Sequence, residues 1–214
     1  MTIIFFDLDG TLTDPKPGIT RSIQHALRKL DRMVPSEDDL TWCIGPPLRA
    51  SFATLLGDAG LAEQAVSLYR ERFADIGLYE NEVYAGIHDI LSELSGSGHR
   101  LFVATSKPAV YAERIIEHFE MAPYFERVFG SELDGQRSDK SELLGYAVQT
   151  AQVDPQKAIM IGDRSHDIVG ARNNGMTAIG VLYGYGSEAE LKAAGAHHVC
   201  ATPGVLRDQL TRIA

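Results

Sequence analysis

Five apolar runs of strand length recur along this chain, at Ile3 to Phe6, Leu101 to Ala104, Arg127 to Gly130, Ala158 to Ile161 and Thr177 to Val181, with helical patterns between most of them. That alternation is the pattern of an α/β protein with a parallel sheet. Ile87, Ile90, Leu91 and Leu94 keep helical spacing, and Gly96 and Gly98 follow as stop signals. Leu143, Leu144, Ala147, Val148 and Ala151 repeat the pattern after Ser141. Ser187 and Glu190 form a capping box ahead of Leu191 and Ala194, Gly195 closes that helix, and His198 to Cys200 adds a short edge strand.

The stretch from about Asp14 to Val83 breaks the rhythm. It has no convincing strand but carries two helical stripes, Ile19, Ile23, Leu27 and Leu30, then Ala62, Ala65, Val66, Tyr69 and Phe73. We read it as a small helical domain, residues 14–83, inserted into a core made of 1–13 and 84–214. The insertion begins just after the first strand, so it is expected to stand over that strand's carboxyl edge, where open α/β sheets bind ligands.

With 214 residues the chain can hold one generous domain, or a core of about 130 to 150 residues with a smaller insertion. Cys43 and Cys200 lie far apart in sequence and outside any Cys-x-x-Cys spacing, so neither a zinc site nor a disulfide framework is expected. No stretch approaches the ~20 apolar residues of a membrane span, and no basic n-region precedes Asp7, so a soluble cytoplasmic protein is expected. A formal charge of -9 argues against binding a nucleic-acid backbone. A small anionic substrate fits only where a local cation collects it.

The first apolar run ends in Asp7-Leu8-Asp9-Gly10-Thr11, which sets two carboxylates at the end of a buried strand. At ~4 Å, like charges repel by about 1 kcal/mol in water and about 4 at an effective dielectric near 20, so a cation or a pKa shift must intervene. Asp and Gly also form ordinary turns. Three further polar groups stand at, or just after, the carboxyl ends of strands: Thr105 with Ser106 and Lys107, then Lys140, then Asp163 with Asp167. Strand ends of a parallel sheet lie along one edge, so these residues can meet in one crevice. Oxygen ligands without a His or Cys cluster suit a hard cation, and Mg2+ is the expected cofactor.

Taken in order, Asp7-Leu8-Asp9-Gly10-Thr11, Thr105, Lys140 and Gly162-Asp163-Arg164-Ser165-His166-Asp167 resemble the four motifs of the haloacid dehalogenase superfamily, and the helical insertion falls where that family places a cap. The resemblance implies a Rossmann-like core. It implies a nucleophile, Asp7, that forms an aspartyl-phosphate, and a general acid and base, Asp9. It also implies Mg2+ held by the Asp7 carboxylate, the Asp9 main-chain carbonyl and Asp163, with Asp167 orienting the shell. Thr105, Ser106 and Lys140 become the phosphate-binding candidates. Asp9 argues against the carbon-attacking dehalogenase branch, and neither Lys16 nor Lys29 gives a sign of the buried imine-forming lysine of a phosphonate hydrolase.

The expected activity is hydrolysis of a small phosphate monoester, phosphoglycolate phosphatase-like, by a monomer or homodimer. Thr105-Ser106-Lys107-Pro108 and Gly162-Asp163-Arg164-Ser165-His166-Asp167 instead resemble 5'-nucleotidase-like or phosphotyrosine-active relatives, and a β-phosphoglucomutase-like mutase or a phosphate-binding regulator are further alternatives. Arg49 follows the Pro46-Pro47 helix start and is the cap candidate for substrate contact, against a solvated first-turn role. Lys16 lies just past the first motif but, like most lysines near turns, is expected to be solvated rather than to meet substrate, and Lys107, held extended by Pro108, lines the pocket or faces solvent. Arg164 and His166 read as supporting or surface residues, Tyr183 to Gly186 as a loop at the pocket mouth or on the surface, and Trp42 as a core or cap–core contact.

Overall fold

The computed structural model describes residues 1–213 and separates into two compact units, Met1–Asp14 with the chain from Val83 onward, and Pro15–Glu82. The elements begin with β1 (Ile3–Phe6), β2 (Thr13–Asp14), α1 (Lys16–Lys29), α2 (Leu48–Leu56), α3 (Ala59–Arg72) and β3 (Glu82–Val83). Helix and strand then alternate: α4 (Ile87–Gly96), β4 (Arg100–Pro108), α5 (Ala109–His118), β5 (Arg127–Ser131), α6 (Lys140–Ala151) and β6 (Ala158–Gly162). The chain finishes with α7 (Ser165–Asn173), β7 (Thr177–Val181), α8 (Glu188–Ala194), β8 (His198–Cys200) and α9 (Pro203–Ile213).

Six strands make one parallel sheet in the order β5-β4-β1-β6-β7-β8, so the first strand of the chain lies inside it. Ile3 stands opposite Arg100 of β4 on one side and Ala158 of β6 on the other. Side chains alternate faces along a strand. Phe5 stacks on Phe102 at 4.9 Å, in a core with Phe129, Leu143, Leu144, Met160 and Ile168. Phe6, on the opposite face, meets Phe125 edge-on at 6.1 Å. Both faces of β1 are therefore closed to water, which is why all four of its residues are apolar. Winding changes side at β1, and the carboxyl ends of strands at such a switch point form the crevice in which these sheets bind ligands.

The capping box at Ser187 is half formed. The Ser187 hydroxyl accepts from the Glu190 amide at 3.1 Å, and Gly195 ends α8 at a φ of 89°. The Glu190 carboxylate does not return to Ser187; it takes the Ser165 amide at 2.8 Å and Arg164 Nε at 3.1 Å. An orphan amide of α7 and a guanidinium are stronger claims on a carboxylate than a reciprocal cap.

In the helical unit, Ile19, Ile23 and Leu27 of α1 and Ala62, Ala65, Val66 and Tyr69 of α3 are buried. Tyr69 stacks on Phe73 at 5.0 Å and meets Phe52 of α2 edge-on at 6.3 Å. A π-turn, Phe73–Gly77, follows α3, and Gly18 lies so close to it that a Cβ there would fall 1.9 Å from the Gly77 carbonyl oxygen. Arg72 closes the unit with a two-pronged ion pair to Glu80 at 2.7 and 3.0 Å.

Four sequence expectations change. Trp42 is not a core residue: it is 41% exposed, because the 3-10 turn Asp38–Cys43 buries Leu40 and Cys43, three apart on one face, and turns Trp42 away. Lys140 does not follow a strand directly but opens α6, after a loop that leaves β5 at Ser131. The fourth strand runs on through Thr105, Ser106 and Lys107 to Pro108, with a register shift between Thr105 and Pro108. The two-residue strands β2 and β3, too short for any periodic signal, bound the stretch read as strandless. Cys43 and Cys200 are buried and unbridged, and among the described residues no helix is long and apolar enough to cross a membrane.

Candidate active site

The β1 ladder carries one residue past the strand: the Asp7 amide donates to the Ile161 carbonyl at 2.9 Å, which fixes a carboxylate at the sheet edge with 4% of the residue exposed. Its partner comes from α6. Asp139 caps that helix, accepting from the Ser141 and Glu142 amides at 2.9 and 3.0 Å, and so sets Lys140 in the first turn. Lys140 Nζ then meets Asp7 Oδ1 at 2.9 Å, the Ala104 carbonyl at 2.9 Å and Asp167 Oδ1 at 2.7 Å, a full set of three acceptors for three ammonium protons. Burial alone would lower the Lys140 pKa, but Asp167 and Asp7 outweigh it and raise it, so the group stays an ammonium.

Asp167 is shared in the same way. Its Oδ2 accepts from the Arg164 amide at 3.1 Å at the start of α7, while its Oδ1 holds Lys140. Gly162, at the end of β6, leaves room for this carboxylate, since a Cβ there would lie 2.2 Å from it.

Asp163 is fully buried and surrounded by backbone. Its Oδ2 accepts from the Tyr185 amide at 2.7 Å and its Oδ1 from the Thr11 hydroxyl at 3.5 Å. Gly10, at a φ of +82°, passes so near that a Cβ would fall 2.3 Å from Asp163 Oδ2. Burial, then the charges of Asp167 and Asp7, push the Asp163 carboxyl well above its usual range.

Oxygens of Asp7, Asp163 and Asp167 lie within 4.8 Å of one another, and among the described residues this is the one group of three His, Cys, Asp or Glu side chains so placed. Three carboxylates against the single Lys140 ammonium leave a formal charge of -2 when all are ionised (three negative, one positive). A hard divalent cation fits both that charge and the all-oxygen donor set. Without one, Asp163 is a liability to the fold. Replacing it with Asn is expected to stabilise the protein in chelator at neutral pH by about 1–2 kcal/mol, since the amide carries no charge to desolvate. Denaturant titration of Asp163→Asn against the parent chain measures this.

Asp9 is not part of the carboxylate cluster. Its Oδ1 is 2.6 Å from Lys107 Nζ, with 9% and 6% of the two side chains exposed. Burial raises the Asp9 pKa, and Lys107, though it opposes the rise, does not cancel it. The charge that sequence reasoning left between substrate and solvent is thus the partner of Asp9, and Pro108, which holds Lys107 extended at the strand end, was the available signal. Thr105 is buried, its hydroxyl accepting from the Lys107 amide at 3.3 Å. Ser106 is half-buried and contributes its carbonyl, which accepts from the Ser131 hydroxyl at 2.8 Å.

Within the helical unit Arg49 is 54% exposed and pairs with Glu63 at 2.6 Å, and Lys16 pairs with Asp38. Arg164 is engaged by Glu190, and His166 is exposed. The tyrosine loop was underestimated: its Tyr185 amide holds Asp163, and the spacing Gly184-Tyr185-Gly186 was a signal for close backbone approach.

The parallel sheet thus gathers three buried carboxylates and a paired lysine at its switch point, where α/β enzymes bind their ligands. The sequence profile of the haloacid dehalogenase-like hydrolases matches residues 4–181, and the chain belongs to that family. It is 49% identical over 208 residues to a Pseudomonas aeruginosa protein named 5'-nucleotidase, covering 97% of this chain and 94% of that one. A Mycobacterium tuberculosis protein named tyrosine-protein kinase PtkA is 39% identical over 185 residues, 86% of this chain and 63% of its own length. The crystal structure of a predicted phosphatase from Clostridium acetobutylicum superposes with a TM-score of 0.96 at 42% identity, covering 99% of this chain and 98% of the other.

Proposed function

We propose that the protein is a Mg2+-dependent phosphatase that hydrolyses a small phosphate monoester through an aspartyl-phosphate on Asp7. The observation that carries this reading is the convergence of Asp7, Lys140, Asp163 and Asp167 at the sheet edge, with Asp9 two residues beyond the nucleophile and turned to a different cation.

An oxygen of Asp7 attacks phosphorus while the bond to the alcohol oxygen breaks, and Asp9 delivers the proton that the departing alkoxide takes up. Asp9 then accepts a proton from the water that attacks the phosphorus of the acyl phosphate, which frees inorganic phosphate and restores Asp7. Lys140 orients the nucleophile through Oδ1 and places its positive charge beside the phosphoryl group, while Thr105 and Ser106 supply donors to the phosphoryl oxygens, where charge spreads in the transition state. Asp7 and Asp163, with the Asp9 carbonyl, would hold Mg2+, and Asp167 would orient that shell through Lys140. When bound, the cation offsets the repulsion between these carboxylates and a phosphate dianion.

The helical unit, Pro15–Glu82, takes the part of substrate-selecting cap in this reading, with Arg49 as its candidate contact. A nucleoside 5'-monophosphate is the first substrate to try, because the relative at 49% identity is named 5'-nucleotidase. Phosphoglycolate, phosphotyrosine and sugar phosphates complete the panel. The deciding experiment is phosphate release from that panel with Mg2+ and with chelator. Release that requires Mg2+ and ranks the substrates by kcat/KM is the expected result; no release from any of them, at any cation concentration, would overturn the reading.

A further inference from the structure

Asp163 owes its orientation to a loop that is itself tied down at a distance. The strand β7 runs into Tyr183-Gly184-Tyr185-Gly186, which folds over Asp163 so tightly that a Cβ on Gly184 would lie 2.5 Å from Asp163 Cβ and one on Gly186 1.8 Å from the Asp163 carbonyl oxygen. Both glycines are thus required for the loop to reach the position from which the Tyr185 amide donates to Asp163 Oδ2 at 2.7 Å. A loop of this composition has little stiffness of its own. What fixes it are two phenols. The Tyr183 hydroxyl donates to the Thr11 carbonyl at 3.2 Å, and the Tyr185 hydroxyl donates to Asp14 Oδ1. Both anchors lie on the segment that leaves the nucleophile strand, the segment that also brings Gly10 and Thr11 against the other side of the Asp163 carboxylate.

Tyr84 buttresses this arrangement, with its ring edge-on to that of Tyr183 at 5.0 Å and a hydrogen bond to Tyr185. Burial, followed by the nearby carboxylates, raises the Tyr84 pKa; burial and Asp14 raise that of Tyr185. The phenols therefore stay protonated and remain donors.

We infer that Tyr185, latched to Asp14, is a positioning residue for the carboxylate of Asp163. Its backbone amide touches that carboxylate, and its side chain, on the other side of the same residue, fixes where the amide stands. The inference rests on the metal-dependent reading above, because the function it assigns to a fixed Asp163 is to hold a divalent cation. Partners behind a metal ligand are worth roughly 10–100-fold in metal affinity, and that is the loss expected when the latch is opened.

The test is calorimetric titration of Mg2+ into the parent protein and into Tyr185→Phe, Asp14→Ala, Asp14→Asn and the Tyr185→Phe/Asp14→Ala double variant, with circular dichroism to establish folding. Tyr185→Phe keeps the ring and loses the donor; Asp14→Ala loses the acceptor together with its charge, and Asp14→Asn, which loses the charge alone, is its control. Each should weaken Mg2+ binding by about 10–100-fold, and the double variant by no more than either single one. Asp14→Asn, whose amide oxygen still accepts, should bind like the parent. In turnover the Mg2+ activation constant should rise while kcat recovers at saturating Mg2+. Parent-like affinity in both single variants, or fully additive losses in the double variant, would overturn the latch. Should one variant fail to fold, the other still opens the same hydrogen bond. If the parent protein binds no Mg2+ and hydrolyses nothing, the metal-dependent reading fails first and takes the latch with it.

Discussion

Asp7→Asn should leave every substrate of the parent enzyme intact, with kcat lower by about 10^4-fold or more, because the covalent route cannot start without a nucleophilic oxygen of sufficient basicity. Asn keeps the size of Asp7 and one oxygen to accept from Lys140, and the β1 ladder runs through the main-chain amide, so the protein should stay folded although the ion pair is reduced to a hydrogen bond. Asp9→Asn makes the informative contrast. In the mechanism proposed above it removes a proton donor rather than the nucleophile, and general acid–base groups contribute about 10^2–10^4-fold. Quenching turnover in acid and weighing the intact protein should reveal a phosphoryl adduct in the parent and none in Asp7→Asn. An Asp7→Asn protein as active as the parent would remove Asp7 from the chemistry.

Lys140→Ala should be the most damaging single change to stability at the site. It strands the carboxylates of Asp7 and Asp167 and the carbonyl of Ala104, all within the interior, and breaking a buried pair in this one-sided way costs about 3–5 kcal/mol. For a chain of this size that is roughly 6–20 °C in Tm. The sign with pH follows from the raised pKa: the folded protein holds the Lys140 proton more tightly than the unfolded chain does. The stabilisation is therefore complete below the ordinary lysine value of 10.5 and is lost only as pH climbs beyond it. Thermal melts of parent and variant should thus stay separated from mildly acidic to mildly alkaline conditions. Lys140→Arg should rescue little, because a planar fork cannot reproduce three acceptors arranged around one nitrogen. Equal melting temperatures for parent and Lys140→Ala would mean that the ion pairs contribute nothing net.

Most of the sheet was legible because buried strands announce themselves by composition. Ile3 to Phe6 and Ala158 to Ile161 are apolar for a reason that acts locally, and their positions follow without any knowledge of partners. Asp7 and Asp163 were legible for the opposite reason: a carboxylate directly behind such a run has no ordinary excuse. Pairings were not. Pro108 signals that Lys107 is extended but not that its partner is Asp9, and nothing near Tyr185 points to Asp14, since each bond joins segments separated by much of the chain. Glu190 illustrates the same limit. Its local motif called for a reciprocal cap, but Arg164 and Ser165, brought close only by the fold, took its carboxylate. Trp42 misled because bulk and hydrophobicity describe a preference, whereas which face of a single turn is buried depends on what packs against it.

The position of β1 in the sheet also governs the order of events when the chain is made. Ile3 to Phe6 are made well before either of the strands they pair with, residues 100–103 and 158–161. Closing loops of that span delays the reward for pairing, as in any topology dominated by distant contacts. Until β6 has been synthesised, four consecutive large apolar side chains lack one of their two flanking strands, and they are the kind of segment that pairs with strangers in a crowded cell. Truncated or stalled chains should therefore be sticky, and chaperone engagement should concentrate on β1. The charged groups of the site share this timing: Asp7, Lys140 and Asp163 become neighbours only when the sheet closes around β1, so no partly made chain assembles the cluster.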